Sequence, residues 1–522
     1  MKALALCTLL LSSSGNGAPV GEWPQGAGPG GTFVVPEGEA PQRWSVVRNE
    51  NIAWRRTLPE TGQSTVVCAE KKVFFTINKP VEKDSSLGHD IVAYCCAAAT
   101  GKVLWTRAIS GRHPLRLSGC FSDSTAPPPV IDGKRVVFFN ASGTIACFDL
   151  EGEEQWSVER LVVGRTQPFL REGLVHYIRQ SYPPDEQGHF THEHKNAPLE
   201  QWTQLQALEI VSGKVRWTTS CGVNMGSAPI PQRLSDGREV TFVGRGGGHG
   251  PPEKPEGVSM IDLTNGKTIW SLALPGFMAT QTISVHGEHA MVFHGSDLLR
   301  VKVADGTIAR RISIVEKIPA RLRREGRWVT ESITMSASKK GREITQHSNL
   351  LVGDILWFRN YRRNYLGRVN LKSDQVEYLQ LPVQLVRKKE CDDVLLWSAE
   401  GSIAPWGRKK AKGGLKQNYW SLVHNDMKNS RGFEVVGDER SRGNGWGHVA
   451  TQVPTAIGEH LYVPVMGGTV YVLKHEVARL DERALVSLND LGPAGEAWNR
   501  ASLSFSEGRL FAHTIKEVIC IK

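Results

Sequence analysis

Thr100-Gly101-Lys102-Val103-Leu104-Trp105 is a turn that opens into a strand, and the chain uses it again and again. Ser212-Gly213-Lys214-Val215-Arg216-Trp217 and Asn265-Gly266-Lys267-Thr268-Ile269-Trp270 keep its glycine and tryptophan. Glu151-Gly152-Glu153-Glu154-Gln155-Trp156 keeps the spacing between them. Self-similarity of this kind means a repeat architecture, one supersecondary unit per repeat. Ahead of each turn lies a short apolar strand, beginning at Ile91, Thr144, Leu205 and Val258. Alternation and β-branched content make these segments strands, and the glycine lets a tight hairpin reach the next one.

Each unit extends to four strands. The first often carries Ser/Thr-x-Pro or a relative, as in Ser124–Pro127, Ser227–Pro229 and Thr451–Pro454, and the fourth carries the tryptophan. Four antiparallel strands per repeat describe a propeller blade. Third strands begin near Ile91, Thr144, Leu205, Val258, Leu298, Leu366, Thr469 and Glu517, which makes eight. The tryptophan slot has become Arg310 in the fifth unit and Tyr378 in the sixth, and it is hard to place in the seventh. The last unit ends after three strands, whereas Asn51–Thr57 supplies a spare fourth strand with Trp54 in the slot, 51 residues before Trp105. Pairing that strand with Glu517–Lys522 closes the ring and leaves no long exposed edge. The expected fold is therefore all-β: an eight-bladed propeller over residues 50–522, closed by an N-terminal strand against the C-terminal ones, with an insertion at about 383–448.

The repeated Asp-x-x-Thr/Asn-Gly-Lys-x-x-Trp pattern, clearest in Leu205–Trp217 and Val258–Trp270, resembles the pyrroloquinoline-quinone-type (PQQ-like) propeller repeat. The resemblance covers roughly residues 50–522. It implies the propeller fold, and it spans both quinone-dependent dehydrogenases and cofactor-free propellers such as the outer-membrane assembly factor. The opening Trp23-Pro24-Gln25 with its glycine-rich continuation resembles exported bacterial propellers of unassigned role.

Among 522 residues the only long apolar run, Ala3 to Leu11, follows Lys2 and precedes small polar residues. It reads as a signal peptide over 1–18, cut near Ala18, followed by a Gly/Pro-rich segment, 19–49. Cys7 lies too early for a lipoprotein box. No other run has membrane-spanning length, so the expected protein is a periplasmic or extracellular monomer with no transmembrane segment. Of nine cysteines, Cys95, Cys147 and Cys520 share the strand slot that Ala207 and Met260 fill elsewhere, where cysteine acts as a small hydrophobe. The adjacent Cys95 and Cys96 invite comparison with the vicinal disulfide of quinone dehydrogenases, but successive strand residues face opposite ways. A formal charge of +10, with clusters at Arg321–Arg324, Arg387–Lys389 and Arg408–Lys412, favours an acidic glycan or a cell-envelope protein as partner over nucleic acid.

In a propeller, the loops between strands two and three and those between blades share one face. The long segments here, 78–90, 181–204, 245–257, 359–365, 110–123, 316–344 and 383–448, are nearly all of that kind, so binding is expected there. Its candidates are Arg245 and His249 in a glycine-rich loop able to approach an anion, Arg362, Arg363 and Tyr365, and Trp446 with His448. Each has a structural alternative: a packed glycine turn, or a tryptophan plugging the channel. His189, His192 and His194 form either a metal site or an acidic-histidine loop without ligand geometry. The once-per-blade acids Asp149, Glu209 and Asp262 are read as turn scaffolding. No calcium ligand set, aspartate base or quinone floor maps onto the sequence, so the expected function is a non-catalytic binding or scaffolding module with no cofactor. The alternative is a PQQ-with-calcium or metal-dependent oxidoreductase on the same fold.

Overall fold

The turn-and-tryptophan unit folds as a β-hairpin at the outer edge of a blade. The structure, a computed structural model, describes residues 22–82, 87–117, 124–164, 166–180, 183–186, 188, 203–222, 228–246, 256–277, 279, 281–335, 349–360, 363–386, 393–396, 430–432, 452–493, 497 and 499–522. Blade 1 runs Val67–Ala69, Lys72–Asn78, Ile91–Ala97 and Val103–Ile109, each strand antiparallel to the next. Seven further blades follow the same order, their third strands starting at Thr144, Gln204, Gly257, Asp297, Tyr365, Thr469 and Glu517, at or one residue from the expected positions. Blade 8 takes Ile52–Thr57 as its outer strand, with Trp54 opposite Cys520 and Arg55 paired to Glu517 at 2.7 Å. The ring is closed as the strand count required.

Register explains the tryptophan. In blades 1 to 4 the slot residue, Cys95, Cys147, Ala207 or Met260, faces Trp105, Trp156, Trp217 or Trp270, and the ladder slips by one residue immediately after it. A bulge at that point bends the outer strand and re-aims the side chain. Each indole then reaches the neighbouring blade: the Nε1–H groups of Trp54, Trp105, Trp156, Trp217 and Trp270 donate to the carbonyls of Ala98, Leu150, Ile210, Leu263 and Val303. The ring lies on the neighbour's turn glycine; at Gly213 (φ +67°) a Cβ would sit 2.7 Å from Trp156. The buried clusters accordingly lie between blades. Phe74 and Cys95 of blade 1, for example, pack with Phe138 and Phe148 of blade 2.

The drifted repeats are joined by other means. Arg310 occupies the slot opposite Arg300, and Asp374 (φ +59°) stands where sister repeats have glycine. Arg300 and Arg310 both pair with Asp374, and Arg300 also donates to the Leu371 carbonyl, so an Arg–Asp clamp replaces Trp-on-Gly between blades 5 and 6. Arg368 holds blade 6 to blade 7 through the carbonyls of Val477 (2.7 Å) and Ala478 (3.0 Å). In blade 7 the slot is Ser487, opposite Val472. There the N-terminal segment intervenes: Trp44 N donates to Asn489 at 3.0 Å and Ser45 Oγ to Asp490 at 2.5 Å.

Two segments differ from the sequence expectation. Residues 22–49, read only as Gly/Pro-rich, carry a short strand, Val34–Val35, parallel to Thr455–Ile457 of blade 7. The same segment bonds Cys68 of blade 1, Ile131 of blade 2 and Leu170 of blade 3, all in innermost strands. It therefore spans the ring near the end where strands one and two are joined, with Trp23 and Phe33 fully buried. The stretch 316–344, read as a connecting loop, contains a hairpin, Ile318–Arg324 with Arg327–Ile333, that adds in parallel to the outer strand of blade 6. Tyr378 at that covered edge turns inward and donates to the Ile314 carbonyl at 2.8 Å. A ladder partner lying 58 residues upstream leaves no periodic trace (Leu379 opposite Arg321 in the sheet, with Gln380 Oε1 accepting from Arg323 N).

Two substitutions separate the stitch from mere backbone preference. Gly133 has φ +87° with open space around its Cβ position, so Gly133→Ala should cost only about 1–2 kcal/mol for the left-handed conformation. Gly213→Ala should cost about 1–3 kcal/mol more, because the methyl collides with Trp156. Denaturant unfolding of both variants measures the difference; equal losses would show that the glycine is there for the turn alone.

Candidate functional site

Hairpins between strands one and two span only two to five residues, and the acids that precede the turns between strands three and four serve those turns. Asp149 Oδ1 accepts from the backbone of Glu151 (3.0 Å) and Glu153 (2.8 Å), and Asp262 Oδ1 from Thr264 at 2.8 Å. The other face carries the long connections. One strand of the 383–448 insertion, Val383–Val386, pairs with Asp393–Leu396. Further along it, Ser430 accepts from Val81 N (3.2 Å) and donates its own N–H to the buried carboxylate of Glu60 (2.7 Å), tying the insertion to blade 1.

Between blades 2 and 3 that face holds a cleft of about 390 Å³. Arg160 directly follows the outer strand of blade 2, and its N–H bonds the Gly143 carbonyl at 2.9 Å. Arg112 and His113, on the connection from blade 1, both donate backbone N–H to the Ser142 carbonyl. Gly143 (φ +143°) lets Arg112 lie over it, since a Cβ there would be 2.9 Å from the arginine side chain. Arg179 ends the second strand of blade 3, and Gln180 follows it, with its N–H on the Leu161 carbonyl. Gln206 closes the floor, accepting from the Tyr177 hydroxyl at 2.6 Å and donating to Thr218 at 3.1 Å.

The charge in this cleft is unbalanced. Among the described residues Glu159 is its one carboxylate, and it pairs with Arg112. Arg160 donates to the Glu159 backbone carbonyl (2.6 Å) and Arg179 to Gln204 Oε1 (3.2 Å); neither forms an ion pair among the described residues. Burial, followed by the charges of His89 and Arg112, pushes the His113 pKa below its ordinary value. A second cleft, about 480 Å³, lies on the hairpin face between blades 3 and 4, and its charges are matched: Arg171 with Glu239 at 2.7 Å, Arg216 with Glu209 at 3.4 Å.

Of the residues expected from sequence, Arg245 is 7% exposed and donates to Ser259 Oγ (2.5 Å) in its own blade and to Ser220 Oγ (3.4 Å) in the outer strand of blade 3. Tyr365 is buried against Tyr378, ring centroids 6.0 Å apart, while Arg363 is exposed beside it in sequence. His249, Arg362, Trp446, His448 and the trio His189, His192 and His194 lie outside the described residues. Among the described residues no three His, Cys, Asp or Glu side chains converge as a metal site. Cys95 and Cys96 are free thiols packed into different clusters, one toward blade 2 and one toward blade 8, and burial raises their pKa values to about 12 and about 11. Cys95 and Cys96 therefore do not form a vicinal disulfide.

The fold defines an eight-bladed β-propeller of four-stranded antiparallel blades. The sequence pattern of the family described as "Outer membrane protein assembly factor BamB" matches residues 90–204, which include the residues named at the cleft between blades 2 and 3 except Gln206. No curated protein matches the sequence. The quinohemoprotein alcohol dehydrogenase of Comamonas testosteroni is similar in structure, with a TM-score of 0.52 at 10% identity, over 97% of this chain and 81% of that one. BamB from Moraxella catarrhalis aligns at a TM-score of 0.47 and 12% identity, over 90% of this chain and 96% of that one. At such identities the likeness is one of fold.

The hairpin-face cleft yields a pH prediction. His176 in it is fully buried against Phe169, ring centroids 4.6 Å apart, and burial lowers its pKa from 6.5 to about 4. The unfolded chain binds this proton first, so the stabilisation is complete above about pH 6.5 and is lost as pH falls toward 4, by about 3 kcal/mol. His176→Phe should flatten the stability profile in that window. An unchanged acid limb would mean that other groups, such as the similarly buried His513, carry it.

Proposed function

We propose that the protein is an exported, non-catalytic binding or scaffolding propeller that works as a monomer and without a cofactor. Its long-loop face meets an acidic partner in the cell envelope, a protein or an acidic glycan. The observation that carries this reading is the one-sidedness of the ring. The N-terminal segment crosses one end of the innermost strands, while the long connections and the uncompensated arginines lie at the other. A rigid ring with elaborated loops on one side is a common way of presenting a binding surface. The family matched over 90–204 is named for an assembly factor of the outer membrane, which fits a role in holding other proteins rather than transforming a substrate. Lys2 and the apolar run within residues 1–18 support export, and among the described residues no helix is long and apolar enough to cross a membrane.

Charge reversal tests which face works. Lys79→Glu combined with Arg363→Glu alters the long-loop face outside the cleft; Arg216→Glu combined with Lys302→Glu alters the hairpin face. Retention on an immobilised acidic polysaccharide, and co-purification with envelope proteins, should fall about tenfold for the first pair and stay within about twofold for the second, with a strong salt dependence. Equal effects from both pairs would contradict a single working face. One-to-one uptake of the quinone with calcium, seen by native mass spectrometry, would replace this reading with an oxidoreductase.

A further inference from the structure

We propose that the cleft between blades 2 and 3 is a binding site for a small organic anion, one that presents a carboxylate or phosphate group to Arg160, Arg179 and Gln180. The inference rests on the long-loop face being the working face and names what one part of it takes.

Three features of the cleft point to an acceptor-rich ligand. The first is the excess of cationic donors: among the described residues three guanidinium groups face one carboxylate, which is already held by Arg112. Arg160 and Arg179 come from different blades and are each half-buried at the same cleft, so folding brings like charges together without a described counter-charge. Like charges in a partly desolvated site are an arrangement that an anion relieves.

The second feature is Gln180. Its side chain is 2% exposed and lines the cleft. Its Oε1 accepts from the Thr203 hydroxyl at 3.5 Å, which leaves Nε2 as the other end of the amide, and Nε2 has no hydrogen-bond partner among the described residues. A buried N–H group without an acceptor is rare in folded proteins and calls for one. The neighbouring amide does not supply it, because Gln206 is already engaged with Tyr177 and Thr218.

The third is size and contrast. A volume of about 390 Å³ falls in the range of small-molecule sites and exceeds what a bare inorganic ion fills. The larger cleft on the hairpin face has its arginines matched by glutamates, so unbalanced charge is not a general property of the gaps between blades. Arginine suits the role because its planar fork pairs with both oxygens of a carboxylate or phosphate.

Titration calorimetry of the full chain with inorganic phosphate, and separately with acetate, tests the site at low salt. Saturable one-to-one binding of either anion is expected. Arg160→Gln and Arg179→Gln should each weaken it about tenfold or more, and Gln180→Met, which keeps the shape and removes the donor, several-fold. Arg216→Gln on the hairpin face should leave it unchanged. Because neither arginine forms an ion pair among the described residues, their removal should change the unfolding temperature little without anion, while the rise in that temperature on adding phosphate should disappear. If the cleft variants lose phosphate yet keep their hold on the acidic polysaccharide, the site takes a free small molecule. If they lose both, it takes an acidic group of the partner. No saturable binding of either anion, or unchanged binding in Arg160→Gln and Arg179→Gln, overturns the assignment. That result leaves the working-face reading to the Lys79 and Arg363 reversal, which lies outside the cleft.

Discussion

The indole N–H that reaches out of one blade to a carbonyl of the next is the contact on which the ring depends. A four-stranded blade buries little by itself, and its stability comes from its neighbours, as in other repeat proteins. A tryptophan at the bulged outer strand provides that contact with both its apolar ring and its one donor. A buried indole needs an acceptor, and the neighbour's turn offers a carbonyl beside a glycine that admits the ring. Five of the eight junctions use this device. At the junction of blades 5 and 6 the partners change together: tryptophan becomes Arg310, glycine becomes Asp374, and the apolar lock becomes an ionic one.

That coupling explains how far the sequence could be read. Blade number, third strands, closure through Trp54 and the scaffold role of Asp149 and Asp262 all follow from features that recur once per repeat. Recurrence is legible without knowing distance. Arg310 and Tyr378 could be placed in the slot by counting, but the contacts that give them meaning are not those of the motif: Asp374 replaces the turn glycine, and the Ile314 carbonyl lies off the repeat pattern. The plug formed by residues 22–49 was illegible for a similar reason. Its contacts join Trp23, Gln25 and Val34 to blades 1, 3 and 7, and such pairings carry no period.

The site shows the same division. That the long loops share one face was legible, because strand order alone decides it. The cleft was not: Arg160, Arg179 and Gln180 sit at strand ends in two blades, Arg112 lies on the connection from a third, and no short motif contains both Arg160 and Arg179. The visible motif, the glycine loop after Arg245, placed its arginine on Ser259 and Ser220 instead. A signal was nevertheless present in the rule already in use, since Arg160 directly follows a fourth strand and Arg179 closes a second one, and both of those ends open on the long-loop face.

The account makes one surface of a stitched ring the place where partners bind, and hydrogen–deuterium exchange on the whole chain reads that most directly. With the acidic polysaccharide bound, peptides spanning residues 106–117, 157–164 and 176–186 should gain protection, while the hairpins at 98–103, 150–155 and 210–215 should exchange as before. Protection confined to those hairpins, or to residues 22–49, would place the working surface on the opposite face and contradict the account.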